Sequence, residues 1–141
     1  MIDIWGETTT GDGAVPEEVI FFPGAGRDPL SEETIAAHGH LLVVAGGPAG
    51  RAAARHFIAA LVPTYYAGHA GQGAAALRRA TAAAAAEVAQ PDALDYVAAA
   101  IAGDDLYLAR AGSGRAYRVR GTSVDPLARA TGPSGAQPAF S

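Results

Sequence analysis

A glycine-rich segment at residues 46–50 lies between an apolar, strand-like run and a stretch of helix-forming residues. Glycines in this setting let the backbone approach a phosphate closely, and the N-terminus of the following helix favours an anion. A second candidate is a group of arginines later in the chain, Arg110, Arg115, Arg118 and Arg120. Guanidinium groups bind carboxylates and phosphates, so these arginines predict either a patch for an anion or acidic partner, or a solvated sheet face.

The glycine-rich segment resembles the G-x-G-x-x-G fingerprint of flavin- and dinucleotide-binding proteins, with Ala45 at the position of the first glycine. In this interpretation the loop holds a pyrophosphate at the helix N-terminus. An acidic residue about 20 residues further on would hold the ribose hydroxyls. No Asp or Glu lies between Thr34 and Ala86, and the later strands are predicted to form hairpins. A small FAD- or NAD-type nucleotide-binding protein is therefore kept as an alternative function.

Two segments resemble the signatures of the PP2C (PPM-type) metal-dependent serine/threonine phosphatases. Residues 43–54 read VVAGGPAGRAAA, where the family has VVADGMGGHAAG between a strand and a helix. Residues 103–120 read GDDLYLARAGSGRAYRVR, which is similar to the GDxLYVAxxGDSRAYxxR hairpin of bacterial members. The resemblance covers residues 1–127 and implies a partial PP2C-like sandwich, in which an antiparallel sheet carries two long antiparallel helices on one face.

The same resemblance implies that the phosphatase metal site is incomplete. The aspartate that binds the paired Mg²⁺/Mn²⁺ ions in the family is replaced by Gly46, and no arginine precedes Arg27 to hold a phosphate. The chain is also expected to lack the C-terminal segment that supplies further metal-binding aspartates. The positions that correspond to the family's motifs are Glu17, Glu18, Gly46, Gly47, Gly50, Gly112, Ser113 and Arg115.

The sequence therefore predicts a catalytically inactive PP2C-like domain, a pseudophosphatase, that acts as a binding or regulatory module. No catalytic residue, metal or other cofactor is predicted. The alternative is a weak Mn²⁺- or Mg²⁺-dependent serine/threonine phosphatase that uses Glu17 or Glu18 as a metal ligand, because hard divalent ions need several oxygen ligands.

Hydrophobic patterns and turn residues predict the elements that position these segments. Strands are expected at residues 1–5, 19–22, 40–45, 96–102, 106–111 and 115–120, with hairpin turns at 103–105 and 112–114. Helices are expected from an N-cap at Ser31, at residues 51–61 with an end near Pro63, and at 74–90. This order predicts an α+β domain over residues 1–127, followed by a flexible tail at 128–141.

Composition and charge limit the partners. The 141 residues contain no cysteine, and the net charge of −4 removes the electrostatic motive for nucleic-acid binding. Without an apolar run long enough for a membrane span, a soluble cytoplasmic protein is expected. Residues 1–50 hold eight acidic residues and one arginine, whereas residues 51–141 hold nine arginines and six acidic residues. These opposite charges predict a homodimer, with residues 106–120 or the first strand at the interface, and leave a further protein partner open.

Overall fold

The computed structural model describes residues 19–21, 31–127 and 137–140. Three α-helices lie within these ranges: α1 (Glu32–His38), α2 (Arg51–Tyr66) and α3 (Gly73–Ala86), with a short 3₁₀ helix at Pro91–Ala93. The strands are β1 (Val19–Phe21), β2 (His40–Gly46), β3 (Asp95–Ala102), β4 (Asp105–Ala111), β5 (Tyr117–Arg120), β6 (Ser123–Pro126) and β7 (Gln137–Phe140).

The main sheet has five strands in the order β1-β2-β3-β4-β7, and each described neighbour is antiparallel. Strands β5 and β6 form a separate antiparallel pair. The predicted α+β class is confirmed. Because β3 runs antiparallel to β2 after the two helices, β2, α2 and β3 do not form the parallel unit on which dinucleotide-binding folds are built.

The main sheet has a covered face and an open face. Alternation along β2 buries Leu41, Val43 and Ala45, and β3 buries alternate residues in the same way, because α2 and α3 pack side by side over this face. Many of the buried residues are alanines, so small side chains fill much of the space between the helices and the sheet. The open face carries Leu42 and Val44 on β2, opposite Ala99 and Val97 on β3.

Helix α1 begins where the sequence predicts, since the Ser31 hydroxyl accepts a hydrogen bond from the Thr34 amide at 3.1 Å. Helix α2 differs, because it passes through Pro63 and ends at Tyr66. A proline inside a helix costs about 3 kcal/mol. Buried tertiary contacts offset that cost: the hydroxyl of Tyr65 donates to the His38 carbonyl at 2.7 Å, and that of Tyr66 donates to the Gly39 carbonyl at 3.0 Å.

Helix α3 ends at Ala86, four residues before the predicted end at residue 90. The amides of Glu87 and Val88 donate to carbonyls of the last turn, and the Val88 side chain is buried. Helix propensity alone would extend the helix to Pro91. Burial of Val88 and the following 3₁₀ turn instead direct the chain into β3.

The chain after β4 differs most from the prediction. The hairpin of β3 and β4 forms with Gly103 in its turn, as predicted. The next predicted hairpin is wrong, because β5 pairs with β6 and the edge of β4 pairs with β7. Strand β7 lies within the predicted flexible tail, where it satisfies backbone groups that an open edge would leave unpaired. The predicted strand at residues 1–5 and residues 128–136 lie outside the described residues.

No helix in the described ranges is long and apolar enough to cross a membrane.

Candidate functional site

A cavity of about 340 Å³ lies at the end of the main sheet where β2 finishes and β3 begins. Three segments line it: residues 44–47, residues 95–97 and residues 113–115. The first and the last of these belong to the two motif segments, which are separated in sequence by the two long helices. The antiparallel pairing of β2, β3 and β4 brings them to the same end of the sheet.

The wall formed by Gly46 and Gly47 is backbone only. Gly46 pairs with Asp95 across the sheet, and Gly47 adopts a φ of 97°, which L side chains rarely adopt. A Cβ at Gly47 would also lie 2.9 Å from the amide nitrogen of Asp95. The turn after β2 is stabilised by the Ala49 amide, which donates a hydrogen bond to the Ala93 carbonyl at 2.9 Å. Glycine at residue 47 is therefore required by the turn itself.

The carboxylate in the cavity belongs to Asp95, the first residue of β3. Its Oδ1 accepts a hydrogen bond from the Ser113 amide at 3.2 Å, and its Oδ2 accepts one from the Ser113 hydroxyl at 2.5 Å. Gly112, with a φ of 66°, leaves the room that this carboxylate occupies, since a Cβ there would overlap it. Asp95 thus holds the loop after β4 against the start of β3.

Two arginines hold the same loop. Nη1 of Arg110 donates to the Gly114 carbonyl at 3.0 Å, and Nη1 of Arg115 donates to the carbonyls of Ser113 at 3.0 Å and Gly114 at 3.1 Å. The backbone of Gly114 packs directly against the backbone of β3, since a Cβ at Gly114 would come within 2.7 Å of the Tyr96 carbonyl oxygen. The loop therefore crosses the open face at the cavity, which explains why β5 does not turn back along β4.

The structure brings some of the predicted site residues together and separates others. Gly46, Gly47, Ser113 and Arg115 line the cavity. Gly112 lies against Asp95, whereas Gly50 caps α2 outside the lining. Glu17 and Glu18 lie outside the described residues.

The predicted arginine patch is divided. Arg110 and Arg115 converge on Gly114, whereas Arg118 forms an ion pair with Asp125 at 3.2 Å and Arg120 is exposed at the end of β5. Sequence reasoning missed Asp95. The available signal was an acidic residue at the start of an otherwise apolar strand, and that signal is weak without a partner to pair it with.

The described residues that line the cavity do not supply the ligands that a pair of divalent ions needs. Such a site needs several oxygen ligands for two cations about 3.5–4 Å apart. Gly46 offers no side chain, and both Asp95 oxygens accept hydrogen bonds from Ser113. Among the described residues, no group of three or more His, Cys, Asp or Glu side chains is placed to hold a metal ion.

The cavity instead offers a positive charge and an apolar wall, which suit an anionic ligand with an apolar part. The exposed Arg115 guanidinium lies at its rim, and the side chains of Val44 and Val97 form an apolar wall. Comparison of the chain with protein-family models, with curated proteins and with solved structures finds no match. The function of the cavity is therefore inferred from its own residues and their contacts.

Proposed function

We propose that this chain is a PP2C-like domain without phosphatase activity, and that its cavity binds an anionic group carried by a partner protein. The observation that carries the proposal is the convergence of the two motif segments on one cavity, with Gly46 where the family has a metal-binding aspartate.

The architecture also supports the PP2C-like assignment. The resemblance implies an antiparallel sheet that carries two long helices on one face. In the described residues α2 and α3 pack on the covered face, and the cavity opens beside the other face. A fold does not by itself imply an activity, so the functional part of the proposal depends on the cavity residues.

The chemistry of the cavity favours binding over phosphoryl transfer. In a two-ion mechanism the metals activate water and stabilise the leaving oxygen, and carboxylates must hold them. Here Asp95 is committed to Ser113, and Gly46 contributes backbone alone. Arg115 supplies a permanent positive charge, and a guanidinium pairs well with planar carboxylates and with phosphates.

A phosphatase assay tests the inactive part of the proposal. With an aryl phosphate and Mn²⁺, we expect no turnover that depends on the metal, and none in Gly46→Asp, because one added carboxylate does not complete a two-ion site. Circular dichroism would confirm that the variant is folded. Turnover that a chelator abolishes, and that Glu17→Ala/Glu18→Ala removes, would contradict the proposal and support the weak phosphatase.

A titration tests the binding part. Phenyl phosphate and benzoate, added without metal and followed by NMR shifts of cavity amides, are expected to bind the parent chain. Arg115→Gln should weaken binding by about tenfold to a hundredfold, because the loss of a hydrogen bond to a charged group usually lowers affinity by that factor. Arg55→Gln, which removes an exposed arginine on α2, serves as the matched control. Equal affinity in Arg115→Gln and the parent would refute this role for the cavity.

A further inference from the structure

The β5–β6 hairpin turns its apolar side chains outward. Tyr117 pairs with Pro126, and Val119 pairs with Val124, so these four residues share one face of the hairpin, called here the outer face. Tyr117, Val119 and Val124 are 57%, 68% and 60% exposed. They are three of the four large hydrophobic residues that are exposed among the described residues, the fourth being Val44.

The opposite face of the hairpin carries the charged residues and is the more buried one. Arg118 and Asp125 form their ion pair there, with side chains 33% and 47% exposed. Ala116 and Leu127 extend the same face and are half-buried, and the Leu127 amide donates to the Ala116 carbonyl at 2.9 Å. A hairpin that served only its own chain would turn its apolar face inward.

This inverted arrangement indicates an interaction surface. A two-stranded hairpin by itself is marginally stable in water, and a contiguous exposed apolar face is typical of a protein contact. Valine has one side-chain torsion and tyrosine two, so both lose little side-chain entropy when a contact buries them. The outer face is therefore a candidate contact surface for a partner.

The charge around the hairpin favours one kind of partner. Residues 115–126 contain three arginines and one acidic residue, Asp125, which is paired with Arg118, so the hairpin and its approach carry a net positive charge. The complementary charge is present in the chain itself, because residues 1–50 have eight acidic residues and one arginine. Two of these acids, Glu32 and Glu33, stand exposed in the first turn of α1.

We propose that the outer face of the β5–β6 hairpin is the interface to a second copy of this chain. In a dimer with two-fold symmetry, the hairpin of each copy lies against α1 of the other, where Glu32 and Glu33 are exposed. The proposal stands apart from anion binding at the cavity, since the outer face contains none of the residues that line the cavity.

Light scattering on the full chain tests the proposal. The expected mass at micromolar concentration is twice the 14.2 kDa of one copy. Val119→Asp/Val124→Asp is expected to weaken the dimer by roughly a hundredfold or more, as for central residues of an interface, and to give a monomer. The two new carboxylates face each other across the hairpin, so NMR shifts of the β5–β6 amides must show that the hairpin is still paired, and circular dichroism should show that the rest of the fold is intact.

Ala59→Asp/Ala83→Asp is the matched control, because it adds the same two charges at exposed positions on α2 and α3 and should leave the dimer intact. Raising the salt concentration should weaken the parent dimer, since opposite charges select the partner. A monomeric parent, a dimer that persists in the hairpin variant, or a dimer that is insensitive to salt would each overturn the proposal. Anion binding, measured by the cavity titration, should be the same in the hairpin variant and the parent.

Discussion

Replacing Phe57 by alanine is expected to lower the free energy of unfolding by about 3 to 5 kcal/mol. Phe57 is fully buried between α2 and the covered face, where its ring stacks on Tyr96 with 4.6 Å between the ring centroids. Ala54 and Ala98 belong to the same buried core, and alanines have no flexible side chain with which to fill the resulting cavity. A loss of this size is comparable with the whole stability of many small domains.

Chemical denaturation followed by circular dichroism measures the effect. Phe57→Leu is the control, because it keeps most of the buried volume and should lose clearly less stability than the alanine variant. If Phe57→Ala stayed within about 1 kcal/mol of the parent, Phe57 would not be a central residue of this core.

Stability is expected to fall steeply in alkali because of Tyr65. Burial of its side chain, reinforced by the charge of nearby Tyr107, raises the pKa of Tyr65 from 10.0 to about 12. Below pH 10 the phenol is neutral in the folded and the unfolded chain, and its stabilising effect is complete. Between pH 10 and 12 the unfolded chain loses this proton while the folded chain keeps it, so folding becomes less favourable, by about 2 to 3 kcal/mol in all.

Denaturation midpoints measured from pH 8 to pH 12 test this dependence. Tyr65→Phe should be less stable than the parent at pH 8, because the hydrogen bond to the His38 carbonyl is lost, but its stability should fall less above pH 10. A parent slope that Tyr65→Phe does not reduce would contradict the assignment to Tyr65.

Local sequence patterns were sufficient to predict the elements that depend on interactions between residues close together in the chain. Runs of apolar, strand-forming residues predict β2, β3 and β4, and Gly103 predicts the turn between the last two, whereas the alternating burial along β2 appears only in the structure. Ser31, followed by two acids, predicts the start of α1. These features depend on backbone geometry and neighbouring side chains, which the sequence contains directly.

Features decided by distant contacts were not predictable in the same way. Pro63 is a strong helix-ending signal, and only the buried hydroxyl contacts of Tyr65 and Tyr66 explain why α2 continues past it. The turn residues at 112–114 are typical of a hairpin. Asp95, 18 residues away, instead bonds to Ser113 and holds that loop across the sheet.

The sequence by itself determined the α+β class, the acidic and basic parts of the chain, and the two motif segments at residues 43–54 and 103–120. Only the tertiary structure decided that these segments share a cavity with Asp95, and that the β5–β6 hairpin presents its apolar face to solvent. The physical reason is that periodicity specifies which side chains share a face of an element. Which way that face points depends on strand pairing and packing across the whole chain.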